Sequence, residues 1–193
     1  MMNADYELQI FYPRNRKEWR EWLEHNHQRS PGVWLIYYKK GTNQPTISYE
    51  EAVEDALSFG WIDSKVNSLD EDRYMQIFTP RKAGSTWSRL NKSRVKKIIK
   101  EGLMTPAGME KVESAKKDGS WSFLDSVEDL IVPDDLKNAF EQNKTAENNY
   151  SNFSNSSKKH ILFWIASAKR IETRNRRIKM TVKMAARNEI PGG

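Results

Sequence analysis

The sequence predicts an α+β fold, with a small three-stranded sheet in the N-terminal half covered by helices and a helical C-terminal half. Three observations predict it. Val33-Trp34-Leu35-Ile36-Tyr37-Tyr38 is β-branched and aromatic throughout, as a buried central strand requires. Asn15-Arg16-Lys17-Glu18 and Ser48-Tyr49-Glu50-Glu51 are capping-box signals, and each precedes apolar residues three and four positions apart. Finally, 193 residues with seven each of Trp, Tyr and Phe are enough to bury an aromatic core without cross-links.

The helix opened at Asn15 places Trp19, Trp22 and Leu23 on one face, with His25 and His27 near its end. Pro31-Gly32 turns the chain into the strand Val33 to Tyr38, which runs out at Lys39-Lys40-Gly41. The helix opened at Ser48 buries Tyr49, Ala52, Val53, Ala56 and Leu57 and stops near Gly60. Trp61 to Val66 reads as a second strand. After the turn Asp70-Glu71-Asp72, the alternating run Arg73 to Thr79 reads as a third, antiparallel to the second. From Pro80 the pattern is helical. Leu90, Val95, Ile98 and Ile99 share a face up to Gly102, and Thr105 with Pro106 opens a helix that ends at Gly119. Pro133 opens a short helix with Leu136 and Phe140, and Thr145 caps the next, with Tyr150 and Phe153. The last helix is expected to run from Ser156 to Arg187. Its seam is Ile161, Trp164, Ala168, Ile171, Asn175, Ile178, Val182 and Ala185 at heptad spacing. These elements divide the chain into an α+β core at 8–104, a helical region at 105–187 packed on it as one compact unit, and a flexible tail at 188–193.

The absence of cysteine excludes disulfides and thiol nucleophiles. The stretch Met1 to Phe11 has no apolar run of signal-peptide length, and no segment reaches the roughly 20 apolar residues of a membrane span, so a cytoplasmic location is expected. Net charge is +6, and it is striped. Residues 81–100 hold eight bases and no acid, 101–157 hold eleven acids and five bases, and 158–187 hold ten bases and one acid. Stripes of this kind suit an anionic partner or pair with each other across the fold.

Three constellations carry chemistry. Asp63, beside Trp61 and between apolar strand residues, is costly to bury unless paired. It reads as a general base or ligand acceptor, or as an ion pair with Lys65 or Arg73 or a helix cap. The run Arg81-Lys82, Ser85, Trp87-Ser88 and Asn91 leads into a helix N-terminus, where unpaired N–H groups and the dipole favour anions. It reads equally as an ordinary cap with solvated cations and a core Trp. Lys169, Arg170, Arg174, Arg176 and Arg177 lie along the last helix as a basic stripe suited to a polyanion, or simply solvated. His25 and His27, two apart, do not share a helix face, and no metal or cofactor site is expected.

Several runs are similar to the YdeI/OmpD-associated (bacteriocin-protection, OmdA-type) family. They are 33–40, Ala56-Leu57-Ser58-Phe59-Gly60-Trp61-Ile62-Asp63-Ser64, Phe78-Thr79-Pro80-Arg81-Lys82, Gly102 to Gly108, and Trp164-Ile165-Ala166-Ser167-Ala168-Lys169 with Thr173-Arg174 and Arg177-Ile178. Where that family carries a cysteine, this chain has Ser58. The resemblance implies links to envelope stress, antimicrobial-peptide resistance and a porin, and it supplies no catalytic residues. The function expected is an anion- or phosphate-binding module using Arg81, Lys82, Ser85, Ser88 and Asn91, with Trp87 stacking, Lys39 and Asp63 on the floor and Trp61 among the ligand-binding residues. The alternatives are an enzyme using Asp63 as base in the same pocket, and a partner for an envelope protein that docks through the basic C-terminal helix.

Overall fold

The computed structural model describes residues 8–191. Residues 1–7 of the stretch read for a signal peptide, and 192–193 of the expected tail, lie outside the described residues. The chain forms two compact units, one ending at Trp121 and one beginning at Ser122.

The first unit runs β1 (Gln9–Phe11), α1 (Arg16–Asn26), β2 (Val33–Tyr38), α2 (Tyr49–Ser58), β3 (Trp61–Ser68), β4 (Arg73–Pro80), α3 (Arg89–Lys100) and α4 (Pro106–Asp118). Its sheet has the order β1-β2-β4-β3. The three expected strands are present, and β3 and β4 are antiparallel as expected. β1 adds a fourth strand, parallel to β2 from Gln9↔Val33 to Phe11↔Leu35. At three residues it is too short to display a period, so only its partner defines it. α4 packs on α2 and belongs to this unit, so the unit boundary falls beyond the seam read at 104/105.

Side chains directly opposite each other on paired strands share a face. The register Val33↔Phe78, Leu35↔Gln76 and Tyr37↔Tyr74, with Asp63↔Phe78, therefore puts these residues on one side of the sheet. Val33, Leu35, Tyr37 and Phe78 join Trp19, Trp22 and Leu23 of α1 and Ala52, Val53, Ala56 and Leu57 of α2 in one buried core. The tryptophans bury their rings and still satisfy their N–H groups: Trp19 Nε1 donates to Ala52 O at 3.0 Å and Trp61 Nε1 to His27 O at 3.1 Å. Asp55 of α2, only 1% exposed, is bound by Arg16 through two 3.0 Å hydrogen bonds and by Arg20 at 3.2 Å, which ties α1 to α2. Ser48 forms a complete capping box with Glu51. At α1, Asn15 accepts from Glu18 N, but Glu18 turns back to the backbone N–H of Arg14.

The second unit is helical: α5 (Asp125–Glu128), α6 (Asp134–Glu141), α7 (Lys144–Asn152), α8 (Asn155–Ala166) and α9 (Ile171–Ala185). Its core joins Leu136, Phe140, Ala146, Tyr150, Ile161, Leu162, Ile165, Ile178 and Ala185. Two expectations are corrected here. Asn143, not Thr145, caps α7, by accepting from Ala146 N. The single long helix is in fact two, broken at 167–170, where Arg170 is extended (φ −116°, ψ 142°). The end of α8 finds partners that permit the break: Arg177 Nη1 donates to the carbonyl of Trp164 and, at 3.0 Å, to the hydroxyl Oγ of Ser167, the residue that caps α8. The break shifts the phase of the seam. Ile171 is 62% exposed, while Ile178, Thr181 and Ala185 form the buried face of α9.

Candidate functional site

The loop between β4 and α3 is held at both ends. Arg81 N donates to Gly60 O at 2.9 Å. Ser88 caps α3 by accepting from Asn91 N at 3.2 Å. Between them, Ser85 N closes a turn on Lys82 O, and Asp118 at the end of α4 accepts from Gly84 N at 3.2 Å and Ser120 N at 2.9 Å. Loop and helix enclose a crevice of about 60 Å³, lined by Arg81, Lys82 and Ser85 on one side and by Lys111, Ser114 and Asp118 on the other. A water site needs about 10–15 Å³ measured this way, so the crevice accommodates a few water-sized groups, the size of a small oxyanion.

Arg81 is its unusual member. It is only 4% exposed, and its guanidinium lies 3.7 Å from the centroid of the Trp87 ring. Nη2 donates to Thr86 O at 2.8 Å, whereas Nε is sealed with no acceptor. No carboxylate lies within the 4.0 Å ion-pair distance of this cation among the described residues. Burial pushes the guanidinium down to about 10, and the charge of Asp63 pulls it partly back up. Arginine keeps its proton at neutral pH, so a net positive charge stays buried beside the crevice.

The remaining predicted residues separate. Lys82 is exposed at the rim and Ser85 half-buried. Trp87 is 2% exposed and packs on Trp121, so it supports Arg81 and offers no face for stacking on a ligand. Ser88 and Asn91 are engaged in the cap, and Asn91 Oδ1 also accepts from Arg94 Nη1. Trp61 is 1% exposed and belongs to the core. Asp63 accepts from Tyr49 Oη at 3.0 Å and Gln76 Nε2 at 2.8 Å, partners that none of the alternatives named. Lys39 donates to Asp70 O and Glu71 O at the β3–β4 turn, the far end of β4 from Arg81, about 25 Å of strand away. Asp63 and Lys39 do not line the crevice. The α4 residues went unremarked in the sequence, although Lys111, Ser114 and Asp118 recur at helical spacing and end on a capping Gly119.

On α9 the basic residues sort into two sets. Arg174 is bound to Asp135 at 2.6 and 2.9 Å, and Arg177 to the end of α8 and the Trp164 ring. Arg176, Lys179, Lys183 and Arg187 are exposed along one stripe, and Lys169 and Arg170 are exposed at the break. His25 and His27 turn Nδ1 toward carbonyls of their own helix, and no group of three or more His, Cys, Asp or Glu placed to hold a metal ion occurs among the described residues. No helix among them is long and apolar enough to cross a membrane.

Residues 11–111 match the model of a domain of unknown function, DUF8412, and residues 129–188 match that described as Bacteriocin-protection, YdeI or OmpD-Associated. Each match lies within one compact unit. The motifs at 33–40, 56–64, 78–82 and 102–108 fall in the first match and the 164–178 signature in the second. No curated protein and no solved structure matches the chain.

Proposed function

For a chain that belongs through residues 11–111 to the DUF8412 family and carries a bacteriocin-protection, YdeI or OmpD-associated segment at 129–188, we propose a binding module for a small oxyanion, seated in the Arg81 crevice. The supporting observation is the buried guanidinium with no carboxylate partner. Burying an unpaired charge is costly, and an anion in the crevice offsets that cost through charge-assisted hydrogen bonds. Lys82 and Lys111 add positive charge against the acid Glu110, and Ser85 and Ser114 add hydroxyl donors. Asp118 is occupied in pinning the loop.

The test is thermal unfolding in inorganic phosphate against sodium chloride of equal ionic strength. A ligand that binds only the folded form at 100 times its Kd stabilises by about 2.7 kcal/mol. The wild type is expected to gain saturably from phosphate, and Arg81→Met to gain nothing while melting close to the wild type in chloride. Equal gains in both proteins, or none in the wild type, refute the reading.

A second reading rests on the α9 stripe, whose four exposed cations form no ion pair among the described residues and suit the phosphates of a polyanion. An enzyme with Asp63 as base is less well supported, because that carboxylate already accepts two hydrogen bonds away from the crevice.

A further inference from the structure

The second unit holds a larger and chemically different cavity. It measures about 340 Å³ and is walled by Leu130, Val132, Phe140 and the ring of Tyr150, with Lys137 and Lys158 among its polar residues. That volume lies in the range of small-molecule sites, roughly 300–1,000 Å³, which are mostly apolar with a few placed polar groups.

The polar groups are unequal in charge. Glu147 is neutralised by Lys144 at 2.7 Å, and Lys137 is paired with Asp134 at 2.9 Å. Lys158 has no carboxylate partner among the described residues. Its ammonium donates to Ser151 O at 2.7 Å and lies 6.0 Å from the centroid of the Tyr150 ring. An ammonium has three N–H donors, and one is used. The backbone bond therefore orients the cation beside an apolar wall and leaves two donors for a ligand. Burial pushes the Tyr150 hydroxyl up to about 12, so the wall stays uncharged at neutral pH.

Leu130 adds a conformational observation. It adopts φ +57°, a left-handed conformation unfavourable for a side chain of this size. It does so in a helix-ending turn after α5, where Leu130 N meets Val127 O and Ile131 N meets Ser126 O. Glycine is the usual residue at such a position, and its replacement by leucine places an isobutyl group in the cavity wall.

We propose that this cavity binds a small amphiphilic carboxylate, with its hydrocarbon portion against Leu130, Val132, Phe140 and Tyr150 and its carboxylate on Lys158. The site is independent of the Arg81 crevice.

Octanoate is the probe, with octan-1-ol as its uncharged counterpart, titrated into the full chain and followed by amide NMR. Saturable shifts centred on 130–132, 140, 150–151 and 158 are expected. Lys158→Met should weaken octanoate about tenfold or more, the scale of one charge-assisted hydrogen bond, and leave octan-1-ol unchanged. Phe140→Ala, checked for folding by its own spectrum, should weaken both. The absence of saturable shifts, shifts centred on Arg81, or octanoate affinity indifferent to Lys158→Met would each overturn the proposal.

Discussion

Replacing Gly108 with alanine tests how closely α4 is seated. A Cβ at this position would stand 2.2 Å from the Ser58 carbonyl oxygen, 2.7 Å from its carbon and 2.6 Å from Met104 Sδ. Carbon and oxygen settle at about 3.3 Å or more, so α4 must withdraw from α2 by about 1 Å. The same carbonyl accepts Thr105 Oγ1 at 2.6 Å and Thr105 N at 3.1 Å, and withdrawal weakens both bonds. Two hydrogen bonds at about 1 kcal/mol each and about 1–3 kcal/mol of overpacking are offset by at most about 1 kcal/mol of helix propensity. The expected loss is about 2–4 kcal/mol. Urea unfolding followed by tryptophan fluorescence reads it well, because of the seven tryptophans only Trp164 lies outside the first unit. At about 1–3 kcal/mol per molar urea, the midpoint should fall by about 0.7 M or more. The variant should also lose its response to phosphate, since Lys111, Ser114 and Asp118 move with α4. An unchanged midpoint would refute both the close seating of α4 and the coupling of that seating to the crevice.

Two further outcomes follow from the second unit. The hydrogen bonds from Arg174 are the main cause holding the Asp135 carboxyl below its usual range. A lowered folded pKa contributes stability above the unfolded value of about 3.9 and loses it as pH falls through the folded value. Asp135→Asn should therefore flatten the acid side of the stability profile below about pH 4, read from the NMR signals of α6 and α9, and an acid limb identical to the wild type would contradict this. For the α9 stripe, four neutralised phosphates predict a slope of about −3.6 in log K against log salt for duplex DNA. Arg176→Gln with Lys183→Gln should reduce its magnitude by about 2, and Arg174→Gln should leave it unchanged. A shallow slope, or one carried by Arg174, would remove the polyanion reading.

Local pattern alone made much of the first unit legible. The strand Val33 to Tyr38, the caps at Ser48, Ser88 and Thr105, and the apolar faces of α1 and α2 depend on residues within a few positions of one another, which spacing reveals directly. The three-residue β1 escaped because its identity lies in its pairing with β2, and the break between α8 and α9 escaped because a heptad seam ran through it without a proline or glycine. Of the expected site, the loop 81–88 was recognisable, yet which of its cations would be buried was not. Arg81 is sealed by Trp87 and faces α4 residues some thirty positions away. Arg174 and Arg177 read as members of a charged surface until Asp135 and the end of α8 claimed them. Asp63 likewise accepts from Tyr49 and Gln76, residues 14 and 13 positions away in sequence. Sequence spacing specifies which face a side chain takes on its own helix or strand. Which cation is left buried without a carboxylate partner depends on contacts between chain-distant elements, and those exist only once the elements have packed.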